Sequence, residues 1–153
     1  MPDDIYGMRL ALAEAERAYA LGEVPIGAVI LDETGSVIAS GYNLRENRHD
    51  ATAHAELLAI QRACQRLGRW RLTGMTLYVT IEPCPMCAGA AVNAHLSSII
   101  YGAPNPWYGS TSTLFTLLSV RIKSRVFIRY SSLSVIPGVS TWRIQIGFLI
   151  SSR

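Results

Sequence analysis

Acidic side chains stop early in this chain: all 11 Asp and Glu residues lie at or before Glu82, whereas six of the 14 Lys and Arg residues lie beyond it. A basic second half of this kind is compatible with an anionic partner such as nucleic acid. Long apolar runs are lacking too, since no stretch approaches the roughly 18 consecutive apolar residues that a membrane-spanning helix needs. With an acidic start, Met1-Pro-Asp-Asp4, where a secretory leader would be basic, this predicts a soluble cytoplasmic protein without a membrane partner. Cysteine is scarce, and three residues cannot all pair, which argues against a disulfide framework. Two of the three form Cys84-Pro-Met-Cys87, a spacing that in a reducing compartment points to metal or redox chemistry. Repeats and low-complexity linkers are absent, and 153 residues, half of them apolar, fit a single domain over 1–153.

The apolar positions set the elements. Ile5, Met8, Leu12, Ala15 and Tyr19 recur at three- and four-residue steps, predicting an amphipathic helix from 4 to about 21 with Asp3 or Asp4 as N-cap and Gly22 as stop. Residues 24–31 and 37–42 are short, mainly apolar runs joined by Asp32-Glu-Thr-Gly35, and read as a hairpin with glycine in the left-handed turn position. Residues 43–50 are polar and read as a loop. Leu57, Leu58, Ile60, Ala63, Cys64 and Leu67 mark the buried stripe of a helix over 51–67, closed by Gly68. Residues 76–81 are rich in β-branched and aromatic side chains, 84–96 are alanine-rich and helical, and 98–101 are again short and apolar. Helix, hairpin, helix, strand, helix, strand is the order of a layered α/β domain.

A catalytic zinc site keeps three protein ligands and leaves the fourth position to water, whereas a structural site usually takes four. This chain offers three. Cys84 and Cys87, at i and i+3 of a helix start, share a face where unpaired amides and the positive dipole end favour thiolates. Pro83 and Pro85 suit that placement, because the first helical turn needs no amide donor. His54 opens another helix and offers a neutral imidazole, and Glu56 is the candidate that moves protons. Two residues along a helix is about 200° of rotation, so His54 and Glu56 share no helical face and must both reach a pocket over the helix end.

His54-Ala-Glu56 with Pro83-Cys-Pro-Met-Cys87 matches the His-x-Glu and Pro-Cys-x-x-Cys signature of zinc nucleobase and nucleoside deaminases. More narrowly, Gly22-Glu-Val-Pro-Ile-Gly-Ala-Val29, Asp50-Ala-Thr-Ala-His-Ala-Glu56 and Thr76-Leu-Tyr-Val-Thr-Ile-Glu-Pro-Cys-Pro-Met-Cys-Ala-Gly-Ala90 resemble the bacterial tRNA-specific adenosine deaminases, over roughly residues 5–118. The resemblance implies a three-layer, cytidine-deaminase-like α/β fold with a mixed sheet of about five strands between helices. It implies hydrolytic conversion of the anticodon wobble adenosine of tRNA to inosine, with the base flipped out of a single-stranded loop. It further implies one Zn2+ per subunit on His54, Cys84 and Cys87, with Glu56 as proton donor and acceptor. Asn43 would contact the base, Pro25, Ile26, Ala55 and Asn105 would help bind substrate, and the protein would be a homodimer. Two other readings remain open: a free-base deaminase acting on guanine or cytosine, and a catalytically impaired RNA-binding relative that keeps zinc for folding.

The chain departs from that family after Gly102-Ala-Pro, where relatives continue with an acidic residue and a Lys-x-Gly element but this chain reads Asn105-Pro-Trp-Tyr-Gly109. Residues 114–118 still resemble the family's next helix, and 120–130 alternate like a last strand. From 131 the tail is serine-rich, acid-free and broken by Pro137-Gly138, where the family carries an acidic amphipathic helix. A reading-frame shift between about 105 and 131 would explain it, and translating the gene's other frames tests that. Loss of the helix predicts an association-prone protein, because the sheet face it covers would be exposed.

The remaining polar signals have plainer readings. His49 reads as a solvated or RNA-contacting loop residue, His95 as a helix cap and Cys64 as a small core residue. Arg45, Arg48, Arg69 and Arg71 fit phosphate contact or solvated surface equally.

Overall fold

The computed structural model describes residues 3–110 and, as backbone, 127–130. The elements in chain order are α1 (Asp4–Ala20), β1 (Gly27–Leu31), β2 (Val37–Tyr42), α2 (Arg45–Arg48), α3 (Ala55–Leu67), β3 (Thr76–Ile81), α4 (Pro85–Asn93), β4 (Ser98–Ala103) and β5 (Phe127–Tyr130). They form one five-stranded sheet in the order β2-β1-β3-β4-β5. β1 runs antiparallel to both β2 and β3, while β3, β4 and β5 are mutually parallel, so the sheet is mixed.

Strand alternation sorts the core into two faces. Val29, Leu31, Tyr78 and Ile100 face α1, packing with Met8 and Ala11. Ala28, Ile30, Leu77, Val79, Ile99 and Tyr101 face the other way, against Ala55, Ala59 and Ala63 of α3 and Ala88 and Ala91 of α4. Burial on both faces accounts for the nearly unbroken apolar runs of β1 and β3. The three-layer expectation is met.

β4 runs two residues past the expected 101, and the larger differences from the sequence reading each have an identifiable cause. β1 begins at Gly27 and not at 24, because Ile26 turns back to bond the Val24 carbonyl at 2.8 Å and Pro25 has no amide for a ladder. The polar loop after β2 contains the short helix α2, whose first amides are bonded by the remote carboxylate of Glu23: the Asn47 amide donates at 2.7 Å and the Glu46 amide at 3.3 Å. α3 begins at Ala55 and not at 51, since the Asp50 carboxylate takes the Thr52 amide (2.8 Å) and hydroxyl (2.7 Å) into a turn. α4 stops at Asn93 and not at 96, because His95 adopts a left-handed φ of 55° and the amides of His95 and Leu96 return to Val92 and Ala91.

Other signals hold as read. Asp3 caps α1 through its side chain to the Ile5 amide, and Gly22, Gly35 and Gly68 all take positive φ. Of the expected stripe on α3, Leu58, Ile60 and Ala63 are buried and Leu57, Cys64 and Leu67 half-buried. Residues 127–130 supply the strand expected within 120–130; the expected helix at 114–118 and the tail at 131–153 lie outside the described residues. No helix among the described residues is long and apolar enough to cross a membrane.

Candidate active site

The registers bring four chain segments to one end of the sheet. Gly27, which opens β1, pairs with Tyr42, which closes β2; Ala28 pairs with Val79 of β3; and Ile81, which closes β3, pairs with Ala103, which closes β4. The segments leaving β2, β3 and β4 and the one entering β1 therefore share an edge, the carboxyl end of the parallel strands, where α/β sheets place their ligands.

His54 and Cys84 occupy equivalent positions there. Each is the N-cap of its helix, with extended backbone (φ −78°, ψ 149° and φ −72°, ψ 169°) and no side-chain bond to its own helix. Both side chains are thus free to point past the helix end. Pro85 is the first residue of α4, and Cys87 lies buried in its first turn. The His54 Nδ1 stands 3.7 Å from the Cys84 Sγ and 3.6 Å from the Cys87 Sγ, and all three donor atoms lie within 4.8 Å of one another.

These distances test whether a zinc ion fits. Tetrahedral coordination with Zn–S about 2.3 Å and Zn–N about 2.05 Å puts nitrogen and sulfur about 3.6 Å apart, and the observed spacings agree. Donor chemistry points the same way. The hydrogen bond from Cys87 first, and those with His54 after it, hold the Cys84 thiol down to about 4, while the Cys87 thiol is pushed up by its bond to that sulfur, by burial and by the charge of Glu56. His54 is raised chiefly by its bond to Cys84. Two sulfurs and an imidazole competing for protons in one small space are the donor set a divalent zinc ion relieves.

Glu56 is 3 % exposed and lies in the first turn of α3. Because His54 precedes the helix, the 200° argument does not separate them: the imidazole projects from the cap and the carboxyl turns inward, within hydrogen-bonding reach of Cys87. Burial first, and then the charge of Cys84, raises the carboxyl above its ordinary value. A carboxyl raised in this way keeps its proton more readily than an exposed carboxylate does.

The other anticipated substrate positions surround this edge. Asn43 is buried just after β2; its Nδ2 donates to the Val24 carbonyl (3.3 Å) and its Oδ1 accepts the Arg45 amide (3.3 Å). Its own amide donates to Ile26, next to the buried Pro25. Ala55 is fully buried between His54 and Glu56, and Asn105 is half-buried after β4. His49, by contrast, is exposed at φ 52° and closes α2, and His95 lies tilted against Trp70 with ring centroids 5.6 Å apart. Cys64 is half-buried against the α3 face of the core, and burial raises its thiol.

Three buried carboxylates escaped the sequence reading: Glu14 on α1, and two that anchor segments flanking the site. Glu23 fixes α2 and also accepts the Asn47 side chain at 2.8 Å; Glu82, fully buried, accepts the Asn105 amide at 3.0 Å. Each acts on a partner 23 or 24 residues away, so neither produces a local pattern. Glu82 stood inside the quoted motif, and its carboxylate beside apolar β3 was the one available signal.

A three-donor zinc centre at two helix starts, with a buried carboxyl against it, defines a zinc-dependent hydrolytic deaminase site. Comparison with known proteins agrees. Residues 1–103 match the family model "Cytidine and deoxycytidylate deaminase zinc-binding region". The tRNA-specific adenosine deaminase of Bacillus subtilis is 51 % identical over 116 residues, covering 76 % of this chain and 71 % of that protein. A solved structure from work on A-to-I editing by tRNA:A34 deaminases superposes with a TM-score of 0.73 at 41 % identity, covering 81 % of this chain and 91 % of the other. A guanine deaminase structure from Bacillus subtilis gives 0.65 at 27 % identity, covering 99 % and 97 %. The chain belongs to the family of the tRNA-specific adenosine deaminases, within the zinc-binding cytidine and deoxycytidylate deaminases.

Proposed function

We propose that the chain, one domain over 1–153, converts the wobble adenosine of a tRNA anticodon loop to inosine as a cytoplasmic homodimer. The observation that carries this reading is the coincidence of the His54, Cys84, Cys87 donor set with the buried Glu56 in a chain 51 % identical to a tRNA-specific adenosine deaminase.

His54, Cys84 and Cys87 would hold zinc. Bound there, zinc would supply Lewis acidity and lower the pKa of water toward neutrality. Glu56 takes one proton of the attacking water and delivers it to the ring nitrogen beside C6, and then carries the proton of the new C6 hydroxyl to the exocyclic nitrogen. The new C6–O bond replaces the C6–N bond, and ammonia leaves. Asn43, Pro25, Ile26, Ala55 and Asn105 bound the base from the segments that share the sheet edge, and the rigid in-chain bonds of Asn43 fix its amide for recognition.

The fold likeness to a guanine deaminase keeps a free-base substrate as the competing reading. Zinc-loaded protein is incubated with an anticodon stem-loop, free adenine, guanine and cytosine, and inosine, hypoxanthine, xanthine and uracil are quantified. Inosine in the stem-loop alone is expected. Glu56→Ala should keep zinc and lose about 10²- to 10⁴-fold in rate. Turnover of a free base without turnover of the stem-loop would replace the RNA reading.

A further inference from the structure

The loop after β4 presents two large aromatic side chains to solvent, Trp107 (56 % exposed) and Tyr108 (66 % exposed). Exposed aromatics normally sit on mobile or loosely held backbone or pack on something. These do neither. The Asn105 amide donates to the buried Glu82 carboxylate at 3.0 Å, and the Asn105 Oδ1 accepts the amides of both Trp107 (3.2 Å) and Tyr108 (3.1 Å). The Gly109 amide returns to the Asn105 carbonyl at 2.9 Å, and Gly109 lies so close to Glu82 that any side chain there would strike the carboxylate. Ser110, fully buried, closes the loop by donating its amide (3.1 Å) and hydroxyl (3.0 Å) to the Pro83 carbonyl. The anchors, Glu82 and Pro83, immediately precede Cys84.

Trp70, the other strongly exposed tryptophan among the described residues, differs in kind. Its ring already carries the Arg71 guanidinium at 4.7 Å and a tilted contact with His95, so part of its surface is engaged within the chain. Among the described residues no ring or cation packs in that way on Trp107 or Tyr108. The loop also belongs to the part of the chain, 83–153, that contains no acidic residue, which suits a polyanion.

We propose that Trp107 and Tyr108 form a stacking platform for unpaired RNA bases adjoining the one that enters the site, with Glu82 as the positioning residue that fixes the platform. The inference rests on the RNA substrate argued above. Aromatic faces stack on any base, and pre-ordering the loop removes the entropy cost of ordering it on binding. Glu82 contacts the loop and not the substrate.

The test measures binding of a fluorescent anticodon stem-loop to the full zinc-loaded chain in a Glu56→Ala background, beside the same RNA with abasic spacers flanking the target adenosine. Trp107→Ala and Tyr108→Ala should each raise Kd for the intact RNA by roughly fivefold to a hundredfold and leave the spacer RNA unchanged. Trp107→Phe should bind within about threefold of the parent, because a ring remains. Glu82→Ala should weaken binding with the same dependence on flanking bases, with zinc content unchanged, and Glu82→Gln, which keeps an acceptor oxygen, should restore it. The surface variants decide the matter even if Glu82→Ala fails to fold. Equal loss on both RNAs, no loss on either, or no binding of the stem-loop by the parent overturns the proposal. So does a changed size in solution with unchanged RNA binding, which would identify a second copy of the chain as the occupant. Inosine formation by the wild-type chain is scored separately: its absence defeats the substrate reading, while the two-RNA comparison still judges the platform.

Discussion

The start of α4 and the loop at 105–110 lie side by side at the carboxyl end of the sheet and are held there by different means. Cys84 and Cys87 are placed by local rules: a proline at the first helical position, a spacing of three, and a strand that ends just before them. The loop beside them is placed by a carboxylate buried 23 residues earlier in the chain and by a glycine that fits only against it. α3 shows the same division. His54 caps it by local geometry, while the segment that leads into it, including α2, hangs on the remote Glu23. The placement of each donor on its own helix is thus encoded within a few residues, and the segments flanking the site over long sequence distances. The two should respond differently to mutation.

The largest effect should come from the local part. Cys84→Ala, or dialysis of the wild type against a strong chelator, should remove zinc and lower deamination by at least about a thousandfold. Metal analysis beside the inosine assay checks this, and full activity at zero zinc would leave the donor set without a role.

Next comes the junction of the two parts. Gly41 on β2 lies directly beneath the first turn of α3, and a methyl group there would run into the Ala55 carbonyl and crowd the Ala59 amide. Gly41→Ala should therefore cost about 1–3 kcal/mol, read from urea unfolding, and weaken zinc affinity as the His54 cap is pushed aside. If stability fell while zinc affinity held, the cap would be less dependent on the sheet than the contact implies.

The smallest effect should fall on the remote anchor of α2. Burial by itself raises the Glu23 carboxyl, but the hydrogen bonds from the Asn47 side chain and amide and the Glu46 amide, with Arg45 nearby, bring it below the ordinary value of 4.5. A depressed folded-state pKa stabilises the fold fully above the unfolded-chain value, and that contribution disappears as pH falls through the lower folded-state value. Glu23→Gln should then cost about 1 kcal/mol at neutral pH, with the gap to wild type closing as pH falls through the depressed folded-state value. Parallel denaturation curves at pH 7 and pH 3.5 check the sign; a gap that widened in acid would reverse it.

Much of the site was legible because its ligands obey short-range grammar. His-x-Glu and Pro-Cys-x-x-Cys each sit at a helix start, and apolar periodicity located those helices to within a few residues, as Gly68 at the end of α3 illustrates. The errors at 24–26, 51–54 and 94–96 all fell where a turn bond or a left-handed residue overrode periodicity. α2 was invisible because four residues cannot hold a helix without help, and its help came from Glu23.

The sequence by itself determined the donor types, their spacing and the order of elements, since coordination chemistry and helix starts depend on neighbours within one turn. Only the tertiary structure decided that four separate segments share one sheet edge, that His54 projects from a cap so that it and Glu56 meet at Cys87, and that Glu82 and Glu23 anchor the flanking segments. Those depend on strand register and on buried charges finding partners more than 20 residues away, for which linear spacing carries no signal.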